Sequence, residues 1–282
     1  MSAISVSKAM VPGPAAADPA VATSAELAVA TAAARIDPIG LTELNALAEL
    51  QTRVDRKYFV SADVFGKMIH ELAGGLRVLE IGGQRAFGYE SVYFDTSDLR
   101  TYRAHLQRRR QRFKARTRTY TDSGQTMFEV KLKGPRGETV KQRAPYPAEH
   151  RGDLTDEGFV YLNSTLHRAY HQDAPAGMRP TLVTTYRRTT FVTRSGDARL
   201  TCDVGLVVHD DRHTAHDVGT HVLVESKSAG RGSAVDRVLR ELAVHPVSVS
   251  KYAVGVAALH PELPSNPWHR TLRRFFQPRA AA

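Results

Sequence analysis

Arg112, Lys114, Arg116 and Arg118 take every second position of the segment R-F-K-A-R-T-R, with Phe113, Ala115 and Thr117 between them. On a β-strand, a period of two sends the cations to one face and the smaller or apolar residues to the other. A row of guanidinium and ammonium groups does one kind of chemistry well, which is anion recognition. Arg grips phosphate oxygens in bidentate fashion and Lys acts as a point charge. Other segments repeat the alternation. Arg53, Asp55 and Lys57 share one face of a first strand, although Arg56 spoils the separation, and Glu129, Lys131 and Lys133 alternate with Phe128, Val130 and Leu132. Lys141 and Arg143 follow, Arg188 shares a face with Tyr186, Arg199, Thr201 and Asp203 alternate with Leu200, Cys202 and Val204, and Glu225 and Lys227 alternate with Val224 and Ser226. One such strand is an ordinary solvated face. For a whole set of them two readings stand, a single sheet with one solvated face and, favoured here, a barrel with an enclosed basic interior, which is costly unless a polyanion fills it. Asp55, Glu129, Asp203 and Glu225 offset part of the repulsion and offer oxygen ligands to a divalent metal.

The elements that must hold these residues are legible in the flanking pattern. Residues 1–36 read as an Ala/Pro-rich disordered segment. Within it a short helix at Ala25–Arg35 could be capped by Ser24. Leu41, Leu44, Leu47 and Leu50 have helical spacing ahead of a strand at Thr52–Val60, and Ser61 caps a helix at Ala62–Leu72 that Gly74-Gly75 ends. Strands are expected at Leu76–Ile81, Ala86–Phe94, Arg112–Tyr120, Thr126–Lys133 and Glu138–Ala144, with turns at Asp122-Ser123-Gly124 and Gly134–Gly137. A helix near Asp153–His171 precedes strands at Thr181–Thr193, Ala198–Val208 and His221–Ser228, then helices near Ser233–Leu242 and Ser250–Leu259. Many antiparallel strands with inserted helices indicate α+β, with the sheet a closed or nearly closed barrel and the helices packed outside. Residues 37–262 read as one domain and 263–282 as a basic, aromatic tail.

The composition agrees with an anionic partner. The 282 residues carry a formal net charge of +10, with a pI near 9.9. That balance fits nucleotide, polyphosphate, nucleic acid or an acidic membrane surface without choosing among them. A single cysteine, Cys202, excludes an intramolecular disulfide and any zinc site built from several cysteines. No apolar run is long enough to cross a bilayer. Pro12, Pro14, Asp18, Pro19 and Glu26 break up the Ala-rich start, so no signal peptide is read and the simplest expectation is a cytoplasmic protein.

The motifs, taken in order, resemble a known family. They are R-x-D-R-K-Y (Arg53–Tyr58), Y-F-D-T (Tyr93–Thr96), K-A-R-T-R-T-Y (Lys114–Tyr120), F-E-V-K-L-K (Phe128–Lys133) and K-Q-R (Lys141–Arg143). Y-R-R-T (Tyr186–Thr189), R-L-T-C-D (Arg199–Asp203), E-S-K (Glu225–Lys227) and S-K-Y (Ser250–Tyr252) follow. Each is weak alone, but the ordered set resembles the VTC domain, the polyphosphate polymerase domain of the vacuolar transporter chaperone complex. That domain belongs to the triphosphate tunnel metalloenzymes, together with CYTH-type triphosphatases. The resemblance implies an eight-stranded antiparallel tunnel that binds nucleoside triphosphate and polyphosphate with Mn²⁺ or Mg²⁺. It also implies transfer of the γ-phosphate of ATP to a growing polyphosphate chain. Carried over by motif, Lys57, Arg116, Arg118, Lys131, Arg188 and Arg199 would be catalytic phosphate ligands. Arg53, Lys114, Lys133, Lys141, Arg143, Lys227 and Lys251 would bind substrate, and Glu225, with Glu129 and Asp203, would hold the metal. In the eukaryotic complex the domain works beside membrane subunits, so a membrane-protein partner is implied as an option.

One departure from the wider superfamily bears on the reaction. CYTH members begin E-x-E-x-K, whereas this register reads Arg53-x-Asp55-x-Lys57. Exchanging a carboxylate for Arg removes a metal ligand and adds a cation, which favours phosphate transfer over two-metal hydrolysis. The alternatives are a triphosphatase on the same fold and a non-catalytic polyanion-binding module. Nucleic acid is the weaker partner, because aromatic stacking residues are not interleaved on the basic strand face. Other signals are read as structural. His167 and His171 share a helix face with Arg168 where a zinc protease has Glu. His209, Asp210, Asp211, His213 and His216 cluster between two strands, in what reads as a solvated hairpin connection, with a metal-binding loop as the less favoured alternative. Cys202 is expected to pack outward beneath a helix, and of Arg108-Arg109-Arg110 at least one is a surface contact for polyanion or membrane.

Overall fold

The computed structural model describes residues 22–47, 54–135, 138–228 and 232–278. Arg53 lies outside the described residues. The chain is α+β, and among the described residues the strands pair antiparallel except for one short parallel contact. Eight strands form a continuous path. They are β2 (Val54–Ser61), β11 (His221–Ser228), β9 (Ala198–His209), β8 (Arg179–Thr193), β4 (Phe87–Asp95), β5 (Phe113–Tyr120), β6 (Thr126–Lys133) and β7 (Thr139–Pro145), in that spatial order. Four short strands extend it. β3 (Leu76–Leu79) pairs with β8 and in turn with β1 (Pro38–Ile39), and β10 (Thr214–Asp217) pairs with β9 and in turn with β12 (Phe276–Pro278).

The expected closed barrel is corrected in one respect. Among the described residues β2 and β7 are not hydrogen-bonded to each other, so the sheet is not closed. It is nevertheless strongly rolled. Lys131 on β6 feels the field of Glu225 on β11, and Lys114 on β5 feels that of Lys57 on β2. Each pair is five strands apart along the sheet, about 24 Å on a flat sheet at about 4.8 Å per strand. Such fields reach across only if the sheet curls into a trough with these residues on its inner face.

The outer face alternates with the inner one and is apolar for that reason. Tyr58, Val60, Val222, Val224, Leu200, Cys202 and Phe191 pack beneath α1 (Ser24–Arg35), α3 (Ala62–Leu72) and α6 (Ala234–Glu241). Cys202 is fully buried there, as its position in the alternation predicts, and burial pushes its thiol pKa up. Ala115, Phe128, Val130, Leu132 and Phe94 pack beneath α5 (Asp156–Tyr170). Side-chain caps fix the helix starts, with Ser61 accepting from Val64 N at 3.4 Å and Thr155 accepting from Gly158 N at 3.2 Å.

Two segments, one near each end of the chain, depart from the sequence reading. Ser24–Arg35 is a folded helix capped by Thr23, with a reciprocal Thr23–Glu26 capping box, and Ser24 is its first residue rather than its cap. Its buried Ala25, Val29, Ala32 and Ala33 fall at helical spacing, so the low-complexity composition hides an amphipathic stripe. The helix α2 (Leu41–Leu47) that follows it is the one the leucine spacing predicts. The C-terminal segment is also packed. α8 (His269–Phe275) runs into β12, and Trp268, Phe275 and Phe276 enter the cluster around α7 (Lys251–Leu259).

α7 is buried along its length and covers one end of the trough, against Leu182 of β8 and Leu206 and Val208 of β9. Leu206 and Val208 reach the inner side because the β8–β9 register shifts between Thr185 and Arg187, opposite Gly205 at φ +62°. The helix approaches closely because residue 255 is Gly, since a Cβ there would lie 2.7 Å from Leu182 Cδ2.

Candidate functional site

The inner face of the trough carries almost every cation singled out above. β5 supplies Lys114, Arg116 and Arg118, because Ala115 and Thr117 between them are buried on the opposite side. Arg116 directs Nε and Nη2 to Glu129 Oε2 at 2.9 and 2.6 Å, and Nη1 to the Tyr93 hydroxyl at 2.7 Å. The two are register partners across β5 and β6. Lys141 on β7 adds its ammonium to the other oxygen of Glu129. Burial alone would raise the Glu129 pKa, but Arg116, Arg118 and Lys141 outweigh it and hold the carboxyl well below its ordinary range.

Arg188 on β8 meets Asp203 on β9 through Nε and Nη2 at 2.6 and 2.8 Å, and Lys251 at the start of α7 closes on the same carboxylate. Burial opposes ionisation there too, yet Arg188 and Lys251 bring the Asp203 pKa down to about 2. Tyr89 and Tyr186 stack at 5.3 Å. Arg118 lies over Tyr89 at 5.2 Å, Arg188 over Tyr89 at 5.0 Å and Lys251 over Tyr186 at 4.2 Å. The Tyr186 hydroxyl accepts from Arg118 Nη2 at 2.9 Å, and Ser91 faces Arg118 in the ladder. Tyr89 and Ser91 were not among the predicted site residues. The signal was present, since Tyr89, Ser91 and Tyr93 alternate with period two.

Lysines fill the middle of the trough. Lys114 is directly opposite Lys131, and Lys131 is directly opposite Lys141, so one ammonium row crosses β5, β6 and β7. Among the described residues neither Lys114 nor Lys131 has a carboxylate within ion-pair distance. Burial, then the neighbouring Lys57, Arg116, Arg112 and Lys133, bring the Lys114 pKa down to about 7. Burial and Arg116 lower that of Lys131 well below its usual value despite Glu225. Like charges set opposite each other in a ladder are unfavourable, and desolvation adds to the penalty. The row therefore favours an anion in the trough.

On the other wall, Glu225 pairs in register with Lys57 of β2, their charged atoms 3.7 Å apart, and it also touches Lys227. Lys227 in turn lies 3.7 Å from Asp55, its own register partner. Burial would raise the Glu225 pKa, but Lys227, Lys57, Lys131 and Arg188 hold it well below the ordinary range. The four carboxylates thus divide. Glu129 and Asp203 are engaged by guanidinium groups in two-point contact, whereas Glu225 and Asp55 share the ammonium of Lys227, and Glu225 also faces that of Lys57. A cation already occupies the position between them, and an oxygen-only donor pair of this kind suits Mg²⁺ or Mn²⁺.

The remaining predicted residues are less central. Arg199 follows the alternation of Thr201 and Asp203 and is the register partner of Lys227. Lys133 lies two residues beyond Lys131 on β6, close enough to depress the Lys114 pKa. Arg143 is exposed on edge strand β7, opposite Glu129.

Behind the site, Asp95 joins two helices. Its buried carboxylate accepts from Thr101 N and Oγ1 at 2.9 and 2.8 Å and from Tyr102 N at 3.0 Å, at the start of α4 (Arg100–Leu106). It also accepts from the Tyr252 hydroxyl of α7. The Asp of Y-F-D-T and the Tyr of S-K-Y are therefore one contact, which places Lys251 beside Asp203.

No curated protein matches the chain in sequence. Among solved structures, a protein from Bacillus halodurans named as a candidate adenylate cyclase aligns with a TM-score of 0.42 and 12% identity, covering 70% of this chain and 93% of that one. A Hippeastrum adenylyl-cyclase candidate with a dominant triphosphatase activity aligns with a TM-score of 0.42 and 13% identity, covering 72% and 95%. Both alignments are too loose to bear on function. The sequence match to the VTC domain family spans residues 52–260, well over half of the chain and the whole of the eight-strand path, and the chain belongs to that family.

Proposed function

We propose that this protein is a metal-dependent polyphosphate polymerase that moves the γ-phosphate of a nucleoside triphosphate, ATP in the first instance, onto a polyphosphate chain. The observation that carries this reading is the Lys114–Lys131–Lys141 row, in which three lysines stand opposite one another across β5, β6 and β7 and the two half-buried ones, Lys114 and Lys131, lack a carboxylate within ion-pair distance. A linear polyanion supplies the missing counter-charge along the trough. Membership of the VTC domain family supports the same class of substrate.

In this reading, Arg116, Arg118 and Arg188 are held in fixed orientations by Glu129, Tyr186 and Asp203, so their charge needs little reorganisation when phosphate enters. A terminal phosphate oxygen of the acceptor chain attacks the γ-phosphorus in line. The new P–O bond forms as the bond to the β–γ bridging oxygen breaks, and the nucleoside diphosphate leaves with that electron pair. The attacking oxygen is already anionic near neutral pH, so positioning and charge neutralisation do most of the catalysis. Lys57, Lys114 and Lys131 neutralise charge on the triphosphate. Glu225 and Asp55 would hold the divalent metal, which supplies Lewis-acid neutralisation of phosphate oxygens when bound. Lys227 would then turn from these carboxylates toward phosphate.

Incubating the purified protein with ATP and Mn²⁺, with and without a short polyphosphate primer, tests the proposal. Lengthening polymer with stoichiometric ADP supports it. Free phosphate alone would reassign the protein as a triphosphatase. Tight tripolyphosphate binding without turnover would make it a polyanion receptor.

A further inference from the structure

Away from the trough, the turn between β9 and β10 meets the end of α7. Asp210 Oδ1 accepts from the backbone N–H of Arg212 and of His213, at 2.8 and 2.7 Å, which fixes the carboxylate in place. Its Oδ2 lies 2.8 Å from His260 Nε2, and Oδ1 lies 3.5 Å from His213 Nδ1. The two imidazole rings approach edge to face at 5.5 Å. The other nitrogen of His260, Nδ1, lies 3.3 Å from Glu262.

This geometry places His260 between two carboxylates. A neutral imidazole carries one N–H, so it can donate to Asp210 or to Glu262, and its second nitrogen then turns a lone pair toward the remaining carboxylate. A metal ion on the nitrogen that faces Asp210 leaves the single N–H on the nitrogen that faces Glu262, so both sides of the ring are matched. His213 directs another nitrogen at the same Asp210 carboxylate, so two imidazoles and one carboxylate oxygen converge. Their ligating atoms all lie within 4.8 Å of one another. A tetrahedral Zn²⁺ with bonds of about 2.0–2.1 Å needs ligand atoms about 3.4 Å apart, so closure needs shifts of about 1 Å. Glu262 on the distal nitrogen of His260 matches the carboxylate–histidine–metal arrangement that fixes a ligand's tautomer.

We propose that Asp210, His213 and His260 form a second metal site, for Zn²⁺ or a similar first-row divalent ion, distinct from the trough. Two imidazoles with one carboxylate prefer such ions to Mg²⁺, whereas the oxygen-only pair Glu225–Asp55 has the opposite preference. The fourth position faces solvent, because His213 sits on an exposed turn. The ion ties the β9–β10 turn to the C-terminal end of α7, whose other end carries Lys251 and Tyr252 into the Asp203 and Asp95 contacts.

The test titrates Zn²⁺ calorimetrically into the tag-free, metal-stripped full chain. The wild type is expected to take up one equivalent at this site. Affinity should fall at least about tenfold in His213→Ala and in His260→Asn, and by a similar factor in Glu262→Gln, where only the partner of the ligand is altered. Glu225→Gln, in the trough, should leave this uptake unchanged, as should His167→Ala and His171→Ala on α5. Bound Co²⁺ should show the visible absorption of a low-coordinate site, lost in His213→Ala. Wild-type Zn²⁺ affinity in His213→Ala, which alters only an exposed turn, overturns the proposal, as does loss of uptake in His167→Ala. In that outcome the cluster is a metal-free His–Asp–His contact that only holds the turn against α7.

Discussion

Arg188 and Asp203 stand opposite each other in the β8–β9 ladder, and the carboxylate takes two nitrogens of the guanidinium, at 2.6 and 2.8 Å. Lys251 shares that carboxylate from α7. Asp203→Ala would leave two buried cations without counter-charge, and removing one partner of such a pair costs about 3–5 kcal/mol. Urea unfolding should read a loss of that size. The pH dependence has a definite sign. Asp203 has its folded-state pKa brought down to about 2 from 3.8, so its stabilising contribution is complete above pH 3.8 and is lost as pH falls toward 2. Asp203→Ala should remove that part of the acid sensitivity.

The lysine row predicts opposite pH slopes for stability and for anion binding. Lys114 has its pKa lowered to about 7 in the fold from 10.5, so the unfolded chain binds more protons between those values. Stability of the ligand-free protein should therefore rise with pH across that window. Lys141, lowered to about 8, contributes with the same sign. Tripolyphosphate binding needs the protonated ammonium, so affinity should fall as pH rises above 7. Lys114→Met should raise Tm while weakening tripolyphosphate binding by about tenfold or more, since it removes a desolvated charge that only the anion satisfies. Calorimetry and thermal melts on one sample series check both. A Tm below that of the wild type would overturn the account of Lys114 as an unsatisfied cation.

Glu225→Gln separates metal binding from phosphate binding. The amide keeps the shape but loses the charge that converges with Asp55 on Lys227. Metal-stimulated turnover should fall by about two orders of magnitude or more, with tripolyphosphate binding in chelator retained or tightened. Lys57→Ala should lower both turnover and tripolyphosphate affinity, because it removes a cation from the same wall. Chelation of the wild type should abolish turnover and be reversed by Mn²⁺. Undiminished polymer synthesis in both variants would remove Glu225 and Lys57 from the mechanism.

Period-two alternation made most of this site readable in the sequence, since it assigns a face to a residue without any knowledge of its partners. Lys114, Arg116, Arg118, Glu129 and Lys131 share the trough for that reason. Alternation does not reveal register. That Glu129 opposes Arg116 while Lys131 opposes Lys114 depends on ladder alignment, and it decides which cations are paired. The same gap left Glu129 and Asp203 grouped with Glu225 as metal ligands, although guanidinium groups engage the first two. Contacts between distant segments were equally silent, as with His260 meeting Asp210 fifty residues away. The stripe of Ala25, Val29, Ala32 and Ala33 was hidden by composition, because alanines make a buried helix face look like low complexity.

Gly255 offers the sharpest test of how α7 is seated. Alanine there is favoured by helix propensity by about 1 kcal/mol, but its Cβ would lie 2.7 Å from Leu182 Cδ2 and 3.2 Å from Val208 Cγ1. Overpacking of this kind costs about 1–3 kcal/mol, so Gly255→Ala should lower stability and displace α7. Lys251 rides on the first turn of that helix, so turnover should fall as well, through loss of its contact with Asp203. Leu182→Ala removes the nearest clashing atoms and by itself leaves a cavity that costs about 2–5 kcal/mol. In the Leu182→Ala background the alanine at 255 gains room while keeping its propensity advantage. Gly255→Ala should then be neutral or stabilising, a reversal of sign that a double-mutant cycle measures directly. Additive losses would show that the residue 255 backbone, rather than the Leu182 contact, sets the position of the helix.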